Sequence, residues 1–143
     1  MDSKRAATER TFLDDVFQLV RDDGRGEDDV ILLGDFQADD EHLGPISKMA
    51  GMAIAVTKTP TNPDQTKQWD NLVFDAQTTR EFTGRSGILN LMRQYNLSLQ
   101  EALEVSDHLP VWAEFNIHEG ETVPEAKVPA EEVQARKEGA AAR

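Results

Sequence analysis

Three hydrophobic segments of strand length lie beside aspartate residues in this chain. They are residues 29–34 before Asp35, residues 71–75 after Asp70, and residues 111–117 shortly after Asp107. Because backbone pairing holds a strand up to its last residue, a side chain at a strand end has a defined position. The pattern therefore predicts a sheet whose strand ends carry several carboxylates and one imidazole, that of His108.

The remaining pattern mixes helices with strands and predicts an α+β fold. One apolar stripe at helical spacing consists of Phe12, Leu13, Val16, Phe17 and Val20. The continuous apolar run of residues 29–34 is typical of a strand covered on both faces. Ser98 and Glu101 form a capping-box pattern and predict a short helix that ends near Glu104. Alternation over residues 111–117 predicts a final strand.

Other segments give weaker signals. Residues 52–57 form a weak strand pattern, and residues 58–67 are rich in Thr, Pro, Asn and Asp, which predicts a loop. Residues 82–95 leave strand and helix open. From residue 118 the chain turns to Ala, Glu, Lys and Val without an aromatic residue. We therefore expect one domain in residues 1–117 and a flexible charged tail in residues 118–143.

Composition limits the protein class. A chain of 143 residues can form one domain with a core, and the absence of cysteine excludes disulfides and thiolate metal sites. No apolar stretch approaches a membrane span of ~20 residues. Without a signal-like start, a cytoplasmic location is expected. Residues 118–143 hold six acidic and four basic residues, so residues 1–117 carry −10 of the net charge of −12. A domain with this negative net charge does not by itself attract the negatively charged backbone of a nucleic acid.

The carboxylate of Asp35 is suited to Mg²⁺ or Mn²⁺, and it could also position or deprotonate an attacking water. If the extended backbone continued beyond the strand, Asp35, Gln37 and Asp39 would share one side. In the simpler interpretation the segment is a turn whose acidic side chains cap the following residues or are solvated.

The imidazole of His108 could donate to a phosphate oxygen or relay a proton, and Asp107 beside it could hold a metal ion or water. Asp70 could stand behind the imidazole if the two segments are neighbours, as carboxylates commonly do. For each residue an ordinary turn or strand-start role is the alternative. Four basic residues are weaker candidates for a substrate phosphate and are more often surface charges: Lys67, Arg80, Arg85 and Arg93.

The three motifs, in this order and ending in Ser106-Asp107-His108-Leu109-Pro110-Val111, resemble the endonuclease/exonuclease/phosphatase superfamily, the fold of the pancreatic deoxyribonuclease. The resemblance covers roughly residues 8–117. It implies an α/β sandwich of two mostly antiparallel sheets with outer helices. It also implies Mg²⁺-dependent hydrolysis of a phosphoester bond, as in a nuclease, phosphatase or other phosphodiesterase, by in-line attack of water.

The resemblance also implies roles for five residues. Asp35 matches the aspartate that orients or activates the water, and Asp107 matches a metal- or water-associated aspartate, so both are candidate metal ligands. His108 matches the histidine at the scissile phosphate, and Asp70 matches the carboxylate bonded to it. Gln37 stands where the family has an asparagine, and its extra methylene moves the amide by about a bond length.

The family's domains are considerably longer than this chain. Their first half supplies an early asparagine, the main metal-binding glutamate and, in several branches, another histidine, none of which has a counterpart here. The resemblance therefore implies the C-terminal half of a domain. Half a sandwich exposes a broad apolar face, so we expect self-association, pairing with a missing half, or marginal stability.

Two functions remain open at this point. In the first, the chain represents a metal-dependent phosphoester hydrolase that is incomplete without further residues. In the second, it is a catalytically inactive fragment or interaction module of the same fold. The acidic charge does not favour nucleic acid as a partner, although it does not exclude it.

Overall fold

A computed structural model describes residues 3–26 and 29–118. Its helices and strands, in chain order, are α1 (Ser3–Arg10), α2 (Leu13–Arg21), β1 (Ile31–Asp35), a 3₁₀ helix (Pro45–Lys48), β2 (Met52–Ile54), β3 (Asp70–Asp75), β4 (Phe82–Ile88), α3 (Leu91–Tyr95), α4 (Leu99–Val105) and β5 (Val111–Phe115). The predicted α+β class is confirmed. Of the flexible charged tail expected in residues 118–143, residues 119–143 lie outside the described residues.

Two antiparallel sheets organise the fold. The first has the order β1-β3-β2, and the second consists of β4 and β5. The ring of Phe74 on β3 connects the sheets, because its centroid lies 5.0 Å from that of Phe82 on β4 and 5.4 Å from that of Phe115 on β5. Ser86 on β4 also donates a hydrogen bond to the carbonyl of Ala55, just after β2.

The hydrophobic core lies between α2, the 3₁₀ helix and the first sheet. Its buried members are Phe17, Phe36, Ala38, Leu43, Ile46 and Val73. The predicted helix around Phe17 is therefore confirmed, although α1 before it was not predicted. Of the predicted stripe on α2, only Phe17 is buried; Phe12, Val16 and Val20 are exposed. Leu13 packs against the core beside Phe17, so the stripe is helical but the described residues cover only part of it.

The prediction that the first strand is covered on both faces was wrong. Leu33 in β1 is 66% exposed, while Ile31 and Leu32 are only partly buried. A continuous apolar run indicates two covered faces only when a layer packs on each of them. In residues 3–26 and 29–118, no layer buries Leu33 on this face of β1.

The other strand and helix predictions were refined. The open region of residues 82–95 is a strand, β4, followed by a short helix, α3. Gly84 has φ +80°, and the β4–β5 register shifts between Phe82 and Ser86, so this glycine belongs to a β-bulge. The predicted capping box at α4 is confirmed, since Ser98 and Glu101 satisfy each other's backbone N–H groups.

The side chain of Asn71 on β3 forms the hydrogen bonds with Val56 that a neighbouring strand's backbone would otherwise form. Its Oδ1 accepts a hydrogen bond from the Val56 N–H at 3.0 Å, and its Nδ2 donates to the Val56 carbonyl at 2.7 Å. The side chain is fully buried and imitates a peptide group, so the chain after β2 separates from the sheet without leaving an unpaired amide at Val56.

Among the described residues, no helix combines the length and the apolar character that a membrane span requires.

The exposure of the α2 stripe predicts unequal effects of two phenylalanine substitutions. Phe17→Ala should lower the free energy of unfolding by about 3–5 kcal/mol, because it leaves a cavity in the core. Phe12→Ala should change it by less than ~1 kcal/mol, because Phe12 is 57% exposed. Urea unfolding followed by circular dichroism measures both. Equal losses would contradict the described packing.

Candidate active site

The pairing of β1 with β3 brings Asp35 and Asp70 together. The antiparallel register places Asp35, the last residue of β1, opposite Asp70, the first residue of β3, and the Phe36 N–H extends the ladder by donating to the Trp69 carbonyl at 2.7 Å. Residues directly opposite in such a pair point to the same face. The two carboxylates therefore share one edge of the sheet.

His108 joins them from the turn between α4 and β5. Its Nδ1 lies 3.0 and 2.9 Å from the two carboxylate oxygens of Asp70, and its Nε2 lies 4.0 Å from Oδ2 of Asp35. The turn is held in place because the His108 N–H donates to Oγ of Ser106 and the Leu109 N–H donates to the carbonyl of Thr61. The expectation that Asp70 stands behind the imidazole agrees with this arrangement.

The contact with Asp70 determines the state of the imidazole. A carboxylate only accepts hydrogen bonds, so Nδ1 carries a proton and Nε2 is the atom left for chemistry. Burial alone lowers the pKa of His108. The hydrogen bond and the charge of Asp70 raise it, with smaller contributions from Asp35 and Asp107, and the net pKa lies above the ordinary value of 6.5.

Thr61 holds Asp70 from the other side and was not identified from the sequence. Its Oγ1 donates to Oδ2 of Asp70 at 2.7 Å and accepts from the backbone N–H groups of Trp69 and Asp70 at 2.9 and 3.1 Å. A threonine in a loop rich in proline and polar residues carries no periodic signal, so only the three-dimensional structure reveals it.

Gln37 contacts Asp35 and does not extend outward from the strand. Its backbone N–H donates to Oδ1 of Asp35 at 2.9 Å, and its Nε2 donates to Oδ2 at 2.7 Å. The extended backbone that would place Asp35, Gln37 and Asp39 on one side does not continue, because β1 ends at Asp35 and Gln37 has φ +51°; the segment follows the turn interpretation. Asp39 instead lies 2.5 Å from Nδ1 of His42.

Glycine precedes Asp35 for a conformational reason. Gly34 has φ +152°, and a Cβ at this position would meet nothing within 4 Å among the described residues. No neighbouring atom among the described residues therefore excludes a side chain here, and it is the positive φ that favours glycine.

Asp35, Asp70 and His108 form a group that could hold a metal ion, since one ligand atom from each lies within 4.8 Å of the others. Asp107, predicted as a metal ligand, is exposed and outside this group, although its charge reaches His108. The oxygens of Asp70 already accept hydrogen bonds from His108 and Thr61. Both oxygens of Asp35 likewise accept hydrogen bonds, from the backbone N–H and the Nε2 of Gln37.

The four basic residues proposed as substrate contacts have different surroundings in the structure. Arg85 forms an ion pair with Glu114 at 2.9 Å, and Arg80 donates to the Gln77 carbonyl. Lys67 and Arg93 are exposed. Arg10, which the sequence did not suggest, donates from Nη1 to the carbonyls of Phe36 and Gln37 and fixes the turn after β1.

Two further features surround the reactive groups. The ring of Trp69 lies 5.2 Å from that of His108, centroid to centroid, so this tryptophan packs against the imidazole as well as the sheet. A cavity of about 180 Å³ opens beside Asp35 between α1 and β1, and its walls include Ala6, Leu13 and Leu33. Of the polar side chains of the site, those of Asp35 and Gln37 line this mostly apolar cavity.

Comparison with known proteins gives one clear similarity. The chain is 32% identical to Deoxyribonuclease-1-like 1 of Rattus norvegicus over 125 residues, which covers 79% of this chain and 39% of the relative. The chain thus spans less than half the length of this relative. No family model matches it. The similarity supports a DNase-like fold. Together with the observed helices and antiparallel sheets, it agrees with the predicted architecture.

The raised pKa of His108 should depend on Asp70. In Asp70→Asn the carboxylate charge is lost, so the pKa of His108 should fall towards 6.5 or below, while Asp15→Asn on the exposed face of α2 should leave it unchanged. A pH titration of the imidazole signals by NMR measures all three proteins. An unchanged His108 titration in Asp70→Asn would contradict the pairing.

The same pair should make folding stability depend on pH. The pKa of His108 is raised in the folded state. The stabilisation that the Asp70–His108 pair gives to the folded protein is therefore fully present below pH 6.5 and is lost as pH rises through the folded-state pKa of His108. The difference in unfolding free energy between the wild type and Asp70→Asn should therefore shrink from pH 6 towards pH 9.

Proposed function

We propose that the chain belongs to the endonuclease/exonuclease/phosphatase superfamily and that its domain hydrolyses a phosphoester bond by metal-assisted attack of water. The carrying observation is the convergence of Asp35, Asp70 and His108 at one sheet edge, with ligand atoms within 4.8 Å. Similarity to a protein named as a deoxyribonuclease supports the reaction class.

Each side chain has a proposed role. Asp35 orients or deprotonates the attacking water, because it is a partly exposed carboxylate at the strand end. His108, held by Asp70 and protonated at Nδ1, offers Nε2–H to a phosphate oxygen when the ring is cationic. Gln37 holds Asp35 through two hydrogen bonds, and we propose that its amide also lies near the phosphate.

We propose that Asp35 and Asp107 hold Mg²⁺ or Mn²⁺. The donor set fits, since Mg²⁺ is commonly bound through one or two carboxylates and completes its coordination with water and substrate phosphate oxygens. Both residues are exposed, and an ion bound by Asp35 would replace the hydrogen bonds that its oxygens accept from Gln37. The ion would stabilise the charge that develops on the phosphoryl oxygens.

We further propose that these residues are the C-terminal part of the catalytic domain. The match covers 39% of the relative, and the family's metal-binding glutamate has no counterpart among the sequence motifs. The rate of this chain alone should therefore be low, because missing ligands remove transition-state stabilisation. The net charge of −12 favours a small phosphoester over tightly bound nucleic acid.

Hydrolysis of bis(p-nitrophenyl) phosphate tests the proposal at high protein concentration. We expect a slow reaction that requires Mg²⁺ or Mn²⁺ and falls about 100-fold in His108→Ala. His42→Ala is the matched control, since His42 is exposed and outside the three-residue group. A rate that is equal in the wild type and His108→Ala would refute the assignment of the site.

Metal binding can be located in the same protein. Low Mn²⁺ concentrations should broaden the NMR signals of Asp35, Gln37 and Asp107 selectively by paramagnetic relaxation. Asp22 and Asp23 after α2 provide a comparison, because they are also acidic and accessible. Equal broadening there would indicate general attraction to acidic surface, and no binding at millimolar metal would favour the second function.

The second candidate function is an inactive interaction module, and exposed apolar side chains favour it. They include Phe12 just before α2, Leu19 on α2 and Leu33 on the edge strand β1, which are 57%, 73% and 66% exposed. Edge strands and exposed apolar side chains promote association with another chain. We propose that two copies of this chain associate through these exposed apolar side chains.

Light scattering after size exclusion measures the association. The mass should rise with concentration in the wild type and remain that of a monomer in the double variant Leu19→Lys, Leu33→Lys. Ile117→Lys is the control, because Ile117 is 89% exposed but follows β5 in the other sheet. A wild-type protein that remains monomeric at high concentration would contradict association.

A further inference from the structure

We propose that Thr61 is the positioning residue of the Asp70–His108 pair and that its hydroxyl group determines the tautomer of the imidazole. Its importance for catalysis rests on the proposed function, but the arrangement of the three side chains does not. Thr61 lies in the loop between β2 and β3 and is fully buried.

The hydroxyl of Thr61 uses its full hydrogen-bonding capacity. A threonine hydroxyl has one donor and two acceptor sites. In Thr61 the donor is bonded to Oδ2 of Asp70, and the acceptor sites receive the N–H groups of Trp69 and Asp70. The carboxylate is thereby turned so that both of its oxygens lie within 3.0 Å of Nδ1 of His108.

The backbone of Thr61 fixes the histidine side of the pair. Its carbonyl accepts the Leu109 N–H at 2.6 Å, one residue after His108, and Leu109 is itself buried. Thr61 therefore holds the carboxylate through its side chain and the histidine turn through its main chain. A displacement of this one residue would change both partners together.

The loop around Thr61 is rigid enough for this role. The Thr61 N–H donates to the Lys67 carbonyl at 2.7 Å, which closes the loop. Oδ1 of the buried Asn62 accepts from the N–H groups of Thr66 and Lys67 at 3.0 and 2.8 Å. The loop is thus tied by its own hydrogen bonds and does not depend on Asp70 for its shape.

Loss of the hydroxyl has a specific expected consequence. Two N–H groups at the start of β3 would lose their acceptor, and an unpaired buried N–H is costly. The nearest carboxylate is that of Asp70, which would turn towards these groups and away from His108. The proton on Nδ1 would then lose its partner, and the ring would populate the form with the proton on Nε2.

NMR of ¹⁵N-labelled protein, recorded at a pH where the ring is neutral, measures the tautomer directly. In the wild type and in Thr61→Ser, which keeps the hydroxyl, His108 should carry its proton on Nδ1. In Thr61→Val, which keeps the shape, a mixture of both tautomers should appear. Thr79→Val is the matched control, because Thr79 is also buried and its Oγ1 has no hydrogen-bond partner among the described residues.

The outcomes separate this inference from the proposed function. A wild-type tautomer in Thr61→Val, or a mixture of tautomers in Thr79→Val, would overturn the positioning role of Thr61. If Thr61→Val does not fold, Thr61→Cys retains a weak donor and should show a smaller shift in the same direction; no shift would equally overturn it. A tautomer change without any measurable phosphodiester hydrolysis would leave the positioning role valid and refute the proposed activity instead.

Discussion

The antiparallel register between β1 and β3 is the constraint on which the candidate site depends. It sets Asp35 opposite Asp70, and two like charges in such a position repel each other. His108 lies between them, and its raised pKa is the counterpart of this repulsion, because a cationic ring is stabilised by both carboxylates. The sheet supplies the geometry, and the imidazole makes that geometry electrostatically acceptable.

The sequence predicted local structure well where the signal is itself local. The capping box at Ser98 and Glu101 depends on residues three positions apart, and the structure confirms it. The burial of α2 and β1 was predicted poorly, because burial depends on which layer packs against an element. Leu33 and Val16 belong to apolar patterns that are typical of core residues, yet both are exposed in the described structure.

In the candidate site, too, the residues with a local sequence signal were identified and those without one were not. Asp35, Asp70 and His108 were identified because each lies beside a strand pattern, and the structure brings these three together. Gln37 lies in the turn that the sequence offered as the alternative to a continued strand, because the backbone is left-handed at this residue, two positions after β1 ends. Thr61 was missed because a buried hydroxyl in a loop has no periodicity, although its contacts are as short as those of His108.

The side chain of Asn71 has a consequence for how this architecture can diversify. It satisfies both polar groups of Val56 at the place where the chain leaves the sheet. Gln68 adds a further hydrogen bond from its Nε2 to the Val56 carbonyl, so the pairing ends there without an unpaired backbone group at Val56. Insertions or deletions between Val56 and Thr61 can accumulate without shifting the strands. Related proteins could thereby reshape the rim of the site for different ligands while the aspartate–histidine arrangement beneath it stays fixed.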